Sequence, residues 1–167
     1  MNYLVAYPEE IQQQVCTLLK ENRLAGVLRQ KYSSGHDIRT DRSLYRYVLA
    51  LKNNYIRHAS SPSKVMFDND LKVIQLALGL HTAISRVQGG KLKAKNEIRI
   101  ASIFKQLPIE FLKMIVVHEL AHLREKDHNK GFYKLCVNME PNYHQIEFDL
   151  RLYLTHQISL QELEWAR

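Results

Sequence analysis

The chain has 167 residues, 46% hydrophobic and 25% charged, with a net charge of +7 and a sequence pI of about 9.4. This is enough for one globular domain with a buried core, and it excludes collagen-like, disordered and disulfide-stapled chains. Uninterrupted apolar runs such as Tyr47 to Leu51 and Met114-Ile115-Val116-Val117 are far too short to span a membrane, and Met1 to Tyr7 lacks the basic start of a secretory signal.

Helical spacing runs from Pro8 to Gln30, with Ile11, Val15, Leu18, Leu19 and Val27 near one stripe and Glu9 and Glu10 in the first turn. Ser33-Ser34-Gly35 breaks it. A second helix is expected from Thr40 or Asp41, either of which can cap it, to about Arg57, with Leu44, Tyr47, Val48, Leu51 and Tyr55 as its apolar face. After Ser60-Ser61-Pro62-Ser63 the period changes from 3.6 to 2. Lys64-Val65-Met66-Phe67 and Asp68-Asn69-Asp70 read as strand and turn, and Thr82 to Val87 as a second strand. Gly89-Gly90 makes a turn. Lys91 to Ile100 then alternates, with Lys91, Lys93, Lys95, Glu97 and Arg99 on one face and Leu92, Ala94, Asn96, Ile98 and Ile100 on the other. Pro108 opens a helix to about Arg124, and further helical patterns cover Lys130 to Met139 and Asn142 to His156, parted by Pro141.

The order predicts an α+β domain over residues 1–167: a helical N-terminal part (1–60), then a small antiparallel or mixed sheet and C-terminal helices (61–167). Cys16 and Cys136 lie far apart within helical patterns and outside any C-x-x-C, so both are expected as free thiols in a reducing cytoplasm. Charge is uneven. Lys20 to Lys105 holds seventeen basic and six acidic residues, whereas the rest holds seven basic and eleven acidic. A basic body favours an anionic partner, nucleic acid included.

The chemistry is concentrated in His118-Glu119-Leu120-Ala121-His122, an HExxH motif inside the Pro108 to Arg124 helix. Residues at i and i+4 share a helix face, so both imidazoles can reach one metal ion, and Glu119 beside them can act as general base on a water molecule. A catalytic zinc takes three protein ligands and leaves one position open. His128, six residues beyond His122, is the first candidate for the third ligand, and Glu147 on the last helix is the second. The His122 to His128 offset is that of the metzincin pattern H-E-x-x-H-x-x-G-x-x-H, but Glu125 occupies the place of its turn glycine. Asp127, Asp149 and His144 are candidates to orient the ligating imidazoles, and Tyr133, Tyr143 and His144 to supply an oxyanion donor. Three imidazoles with an open site suit one Zn²⁺ per chain, with other divalent transition metals conceivable. Arg86, Lys91, Lys93, Lys95 and Arg99 put five cations into fourteen residues around Gly89-Gly90, a basic strand region that would suit acidic peptides, nucleotides or a nucleic-acid backbone, and edge lysines also guard a sheet against edge-to-edge pairing.

The segments Met114 to Leu123, Asp127-His128-Asn129-Lys130-Gly131-Phe132-Tyr133, Leu78 to Ala83 and Arg86 to Lys95 resemble the YgjP-like metallopeptidase-type domain, a family similar to the SprT-like and WLM metalloproteases. The resemblance spans nearly the whole chain. It implies a zincin-like fold, a metal held by His118, His122 and His128, and Glu119 as base. The chain departs from the wider family around its strands. Val87-Gln88-Gly89-Gly90 and Arg99-Ile100-Ala101-Ser102 stand where much of that family has a Trp-Gly-Ser element and an Asn-Trp pair. Three functions are carried forward: peptide hydrolysis, hydrolysis of a phosphate-containing small molecule such as a nucleotide, and a metal-stabilised nucleic-acid-binding module.

Overall fold

The computed structural model describes residues 2–69 and 97–165. Its α+β order is α1 (Glu9–Lys20), α2 (Leu24–Lys31), α3 (Asp41–Tyr55), β1 (Lys64–Asp68), β2 (Glu97–Ala101), α4 (Ile109–Ala121), α5 (Lys130–Met139) and α6 (Tyr143–Trp165). Two compact units are formed, one from residues 1–34 and 144–167 and the other from 35–143. No helix among the described residues is long and apolar enough to cross a membrane.

In the first unit, the helix expected from Pro8 to Gln30 is two helices. Asn22 takes a left-handed backbone (φ 54°), its N–H donates to the Leu19 carbonyl, and the Arg23 N–H reaches back to Leu18. This pairing closes α1, and asparagine tolerates the left-handed position better than most side chains. Around α6, Asp149 receives Lys31 and the Tyr32 hydroxyl, while Arg151 donates to Glu147 and to the Tyr3 carbonyl.

The second unit carries the strands and α3 to α5. Thr40 and Ser43 cap α3 reciprocally, and Leu44, Val48 and Leu51 are buried beneath it. The two described strands pair in parallel, Val65 opposite Ile98 and Phe67 opposite Ile100. Of the expected antiparallel or mixed sheet, this described pair is parallel; the Gly89-Gly90 turn lies outside the described residues. A parallel partner needs a long crossover rather than a tight turn, and the chain between Asp68 and Glu97 is long enough for one. Alternation holds over 97–100: Ile98 and Ile100 are buried, and Arg99 is exposed. Arg99 is not a free cation, because it pairs with Asp68 (3.1 Å) and Glu97 (3.2 Å). The Thr82 to Val87 strand, and Arg86, Lys91, Lys93 and Lys95 with it, lie outside the described residues.

Helix α4 runs through the middle of this unit. Phe111, Leu112, Met114, Ile115, Val116, Val117, Leu120 and Ala121 are all buried, so apolar side chains surround it instead of forming one stripe. It ends at Ala121, short of the expected Arg124. Leu123 and Arg124 donate to the carbonyls of Leu120 and Ala121, and Glu125 also returns to Ala121. This tightened last turn redirects the chain towards α5. Cys16 and Cys136 are not joined by a disulfide.

Candidate metal centre

His118 and His122 are one turn apart at the end of α4, and His128 precedes α5. The turn after Ala121 brings the three together. Their Nε2 atoms lie 3.2 Å (118–122), 3.1 Å (122–128) and 3.2 Å (118–128) apart. His118 is buried, His122 half-buried and His128 exposed, so the group opens to solvent on the His128 side.

Asn129 fixes the third member. As the N-cap of α5 its side-chain oxygen accepts from the Phe132 N–H at 2.9 Å, and its amide donates to Glu125 at 3.1 Å. His128 therefore stands just before the cap, and Tyr133 faces its ring with centroids 6.3 Å apart, the positions of a hydrophobic staple. Phe132, fully buried, forms the floor: its ring centroid is 4.9, 4.6 and 4.7 Å from those of His118, His122 and His128.

The far side of each α4 imidazole is also held. His118 Nδ1 is 2.8 Å from the buried Tyr143 hydroxyl, and His122 Nδ1 is 3.0 Å from the Glu125 carbonyl oxygen. With Nε2 turned inward as a lone-pair donor, each Nδ1 carries the hydrogen and donates it outward. Tyr143, an expected oxyanion donor, is thus turned onto the back of His118. The residue in the place of the metzincin glycine, Glu125, supplies the acceptor for His122 through its main chain.

These donors fit a metal ion. Three nitrogens at tetrahedral angles about 2.0–2.1 Å from one zinc are about 3.3 Å apart, close to the observed spacing. His118 and His122, with their Nδ1 hydrogens directed outward, each present an Nε2 lone pair to the middle of the group, where His128 Nε2 also points. Among the described residues these three are the group able to hold an ion. Glu119, next to His118 on α4, is half-buried.

The rival third ligand, Glu147, and the orienting candidates Asp149 and His144 belong to the other compact unit. Glu147 is engaged by Arg151 at 2.7 Å, and Asp149 by Lys31, Tyr32 and Gln145, all in the unit of residues 1–34 and 144–167. His144 belongs to that unit too. The Asp127 main chain accepts from the Asn129 N–H, which shapes the turn. Phe132 was missed from sequence, although its position four residues beyond His128 and three beyond a capping asparagine was the available signal.

Comparison with known proteins bears on the same segment. Residues 69–153 match the family described as "YgjP-like, metallopeptidase domain". A protein of Escherichia coli (strain K12) named UTP pyrophosphatase is 58% identical over 160 residues, 96% of this chain and 95% of the relative. No solved structure matches.

Proposed function

The chain belongs to the YgjP-like family and is a metal-dependent hydrolase; from that premise we propose that it cleaves a phosphoanhydride bond of a nucleoside triphosphate, UTP being the first candidate. The convergence of His118, His122 and His128 beside Glu119 carries the reading, and the name of the E. coli relative supports this substrate class. We assign the three histidines as ligands of one Zn²⁺ and Glu119 as the general base, and read the fold as zincin-like, with the HExxH helix packed against strand β2.

A zinc ion in this position would polarise a phosphoryl oxygen and make a water molecule more acidic. The chain does the rest. Three neutral imidazoles leave the ion's positive charge uncompensated, which suits an anionic substrate. Phe132 closes the floor, leaving the His128 side for substrate entry. Glu119 takes the proton as the water oxygen bonds to the α-phosphorus, and the bond to the β-phosphate breaks to release pyrophosphate. The basic residues Arg86, Lys91, Lys93 and Lys95 are assigned to the outer phosphates.

Zinc-loaded wild type and Glu119→Gln, incubated with UTP and assayed for pyrophosphate, test the proposal. Turnover reduced about 10²–10⁴-fold in the variant at unchanged metal content is the expected result. Equal rates in both would remove Glu119 from its role. Intact UTP together with cleavage of a peptide library would establish the second reading, peptide hydrolysis. That reading is favoured by the HExxH spacing and the family's description.

A further inference from the structure

The hydroxyl behind His118 comes from the first residue of α6, at the end of a turn with its own attachment to α4. Glu140 caps α5 and is 8% exposed. One carboxylate oxygen receives Lys113 Nζ of α4 at 2.7 Å, and the other accepts from the Asn142 N–H at 3.1 Å. Its carbonyl accepts from the Tyr143 N–H at 2.9 Å. Pro141 restricts the backbone between them. The turn 140–143 is therefore fastened to α4 twice: by an ion pair at Lys113 and by the hydroxyl at His118, roughly 7.5 Å further along the helix.

We propose that the Lys113–Glu140 ion pair is a positioning device for the metal centre: it seats the Tyr143 hydroxyl on His118 and so aims the imidazole at the ion. The proposal rests on the metal-centre reading above. The two α4 imidazoles are oriented differently. His122 donates to a main-chain carbonyl three residues away, which side-chain substitutions leave in place. His118 depends on a side chain 25 residues away, and its aim therefore depends on where the turn sits. Glu140 is suited to hold the turn, since its carboxylate and carbonyl unite a helix end, two turn N–H groups and the α4 lysine. The pair is also sheltered. The side chains of Lys113 and Glu140 are 30% and 10% exposed, so the attraction is less screened than on an open surface. Tyr47 of α3 reports the same charge: burial, and secondarily Glu140, push its hydroxyl up to about 12.

The test is zinc affinity, measured by competition with a chromophoric chelator for full-length wild type, Tyr143→Phe, Glu140→Gln and the double variant. Melting temperatures of the metal-free proteins are taken alongside. Tyr143→Phe should weaken zinc binding about 10-fold or more, the usual effect of losing an outer partner of a ligating histidine. Glu140→Gln should weaken it less, and the double variant should bind no more weakly than Tyr143→Phe alone, because one residue acts through the other. Lys113→Met, which leaves the hydrogen bonds of the turn in place, should repeat the effect of Glu140→Gln and serves if that variant does not fold. Lower melting temperatures with unchanged zinc affinity would reduce the pair to a purely structural role and overturn the proposal. So would additive losses in the double variant. A wild type that binds no zinc would overturn the metal-centre reading before any variant is compared.

Discussion

In the unit of residues 1–34 and 144–167, Asp149 is 4% exposed, yet its oxygens are supplied with donors from Lys31, Tyr32 and Gln145. Arg151 beside it reaches Glu147, the Tyr3 carbonyl and the face of Tyr7. Positive groups meet negative ones and donors meet acceptors, so the cluster is closed. The histidine group of the other unit is equally ordered but open: three nitrogens of the same kind face one another, and the far sides of two are already bonded. The contrast lies in what the polar groups face: opposite partners in the first unit, and one another's ring nitrogens in the second.

Breaking the open cluster should have the largest functional effect. His128→Ala should reduce zinc affinity by more than the about 100-fold that an outer-shell partner can contribute, while the metal-free melting temperature changes little because the residue is exposed. Elemental analysis of protein purified without a metal-affinity tag, beside a thermal melt, checks both halves. Full zinc content in His128→Ala would make the third ligand some other group.

The closed cluster should respond in the reverse sense. Asp149→Asn removes the charge shared by Lys31, Tyr32 and Gln145; because the Lys31 side chain is 45% exposed and water can replace its partner, the loss should be about 1–2 kcal/mol of stability, with zinc affinity unchanged. Denaturant unfolding and the chelator competition, run on the same protein, separate the two quantities. A shift in zinc affinity instead would erase the contrast drawn between the clusters.

The smallest effect concerns Tyr47, whose hydroxyl is raised from 10.0 to about 12, first by burial and then by Glu140. A raised value means that the folded protein holds this proton where the unfolded chain has released it. The stability this contributes is fully present below pH 10 and is lost as pH climbs through about 12. Tyr47→Phe should flatten that part of the stability curve, and absorbance at the tyrosinate band should show one fewer late-titrating residue. An unchanged curve would detach Tyr47 from the Glu140 turn.

Much was readable from local pattern. Thr40 stands before an apolar stripe and caps α3, and Lys130 to Met139 is bounded by Asn129 and Pro141 and forms α5 with those limits. Such limits depend on neighbours a few residues away. Asn22 was less legible, because the helical stripe continues across it and only its backbone angle divides α1 from α2. The direction of β1 against β2 was not legible, since alternation assigns faces and leaves pairing open.

The sequence by itself determined that His118 and His122 share a helix face with Glu119 beside them, because the 3.6-residue repeat makes that spacing a local property. It also offered His128 as a third donor, with Glu147 as its rival. Tertiary structure decided the rest. The early end of α4 and the Asn129 cap return His128 to the group, and Arg151 engages Glu147. Phe132 becomes the floor, and Tyr143 the support of His118. These contacts depend on how one turn aims the next element, and no spacing along the chain encodes that direction.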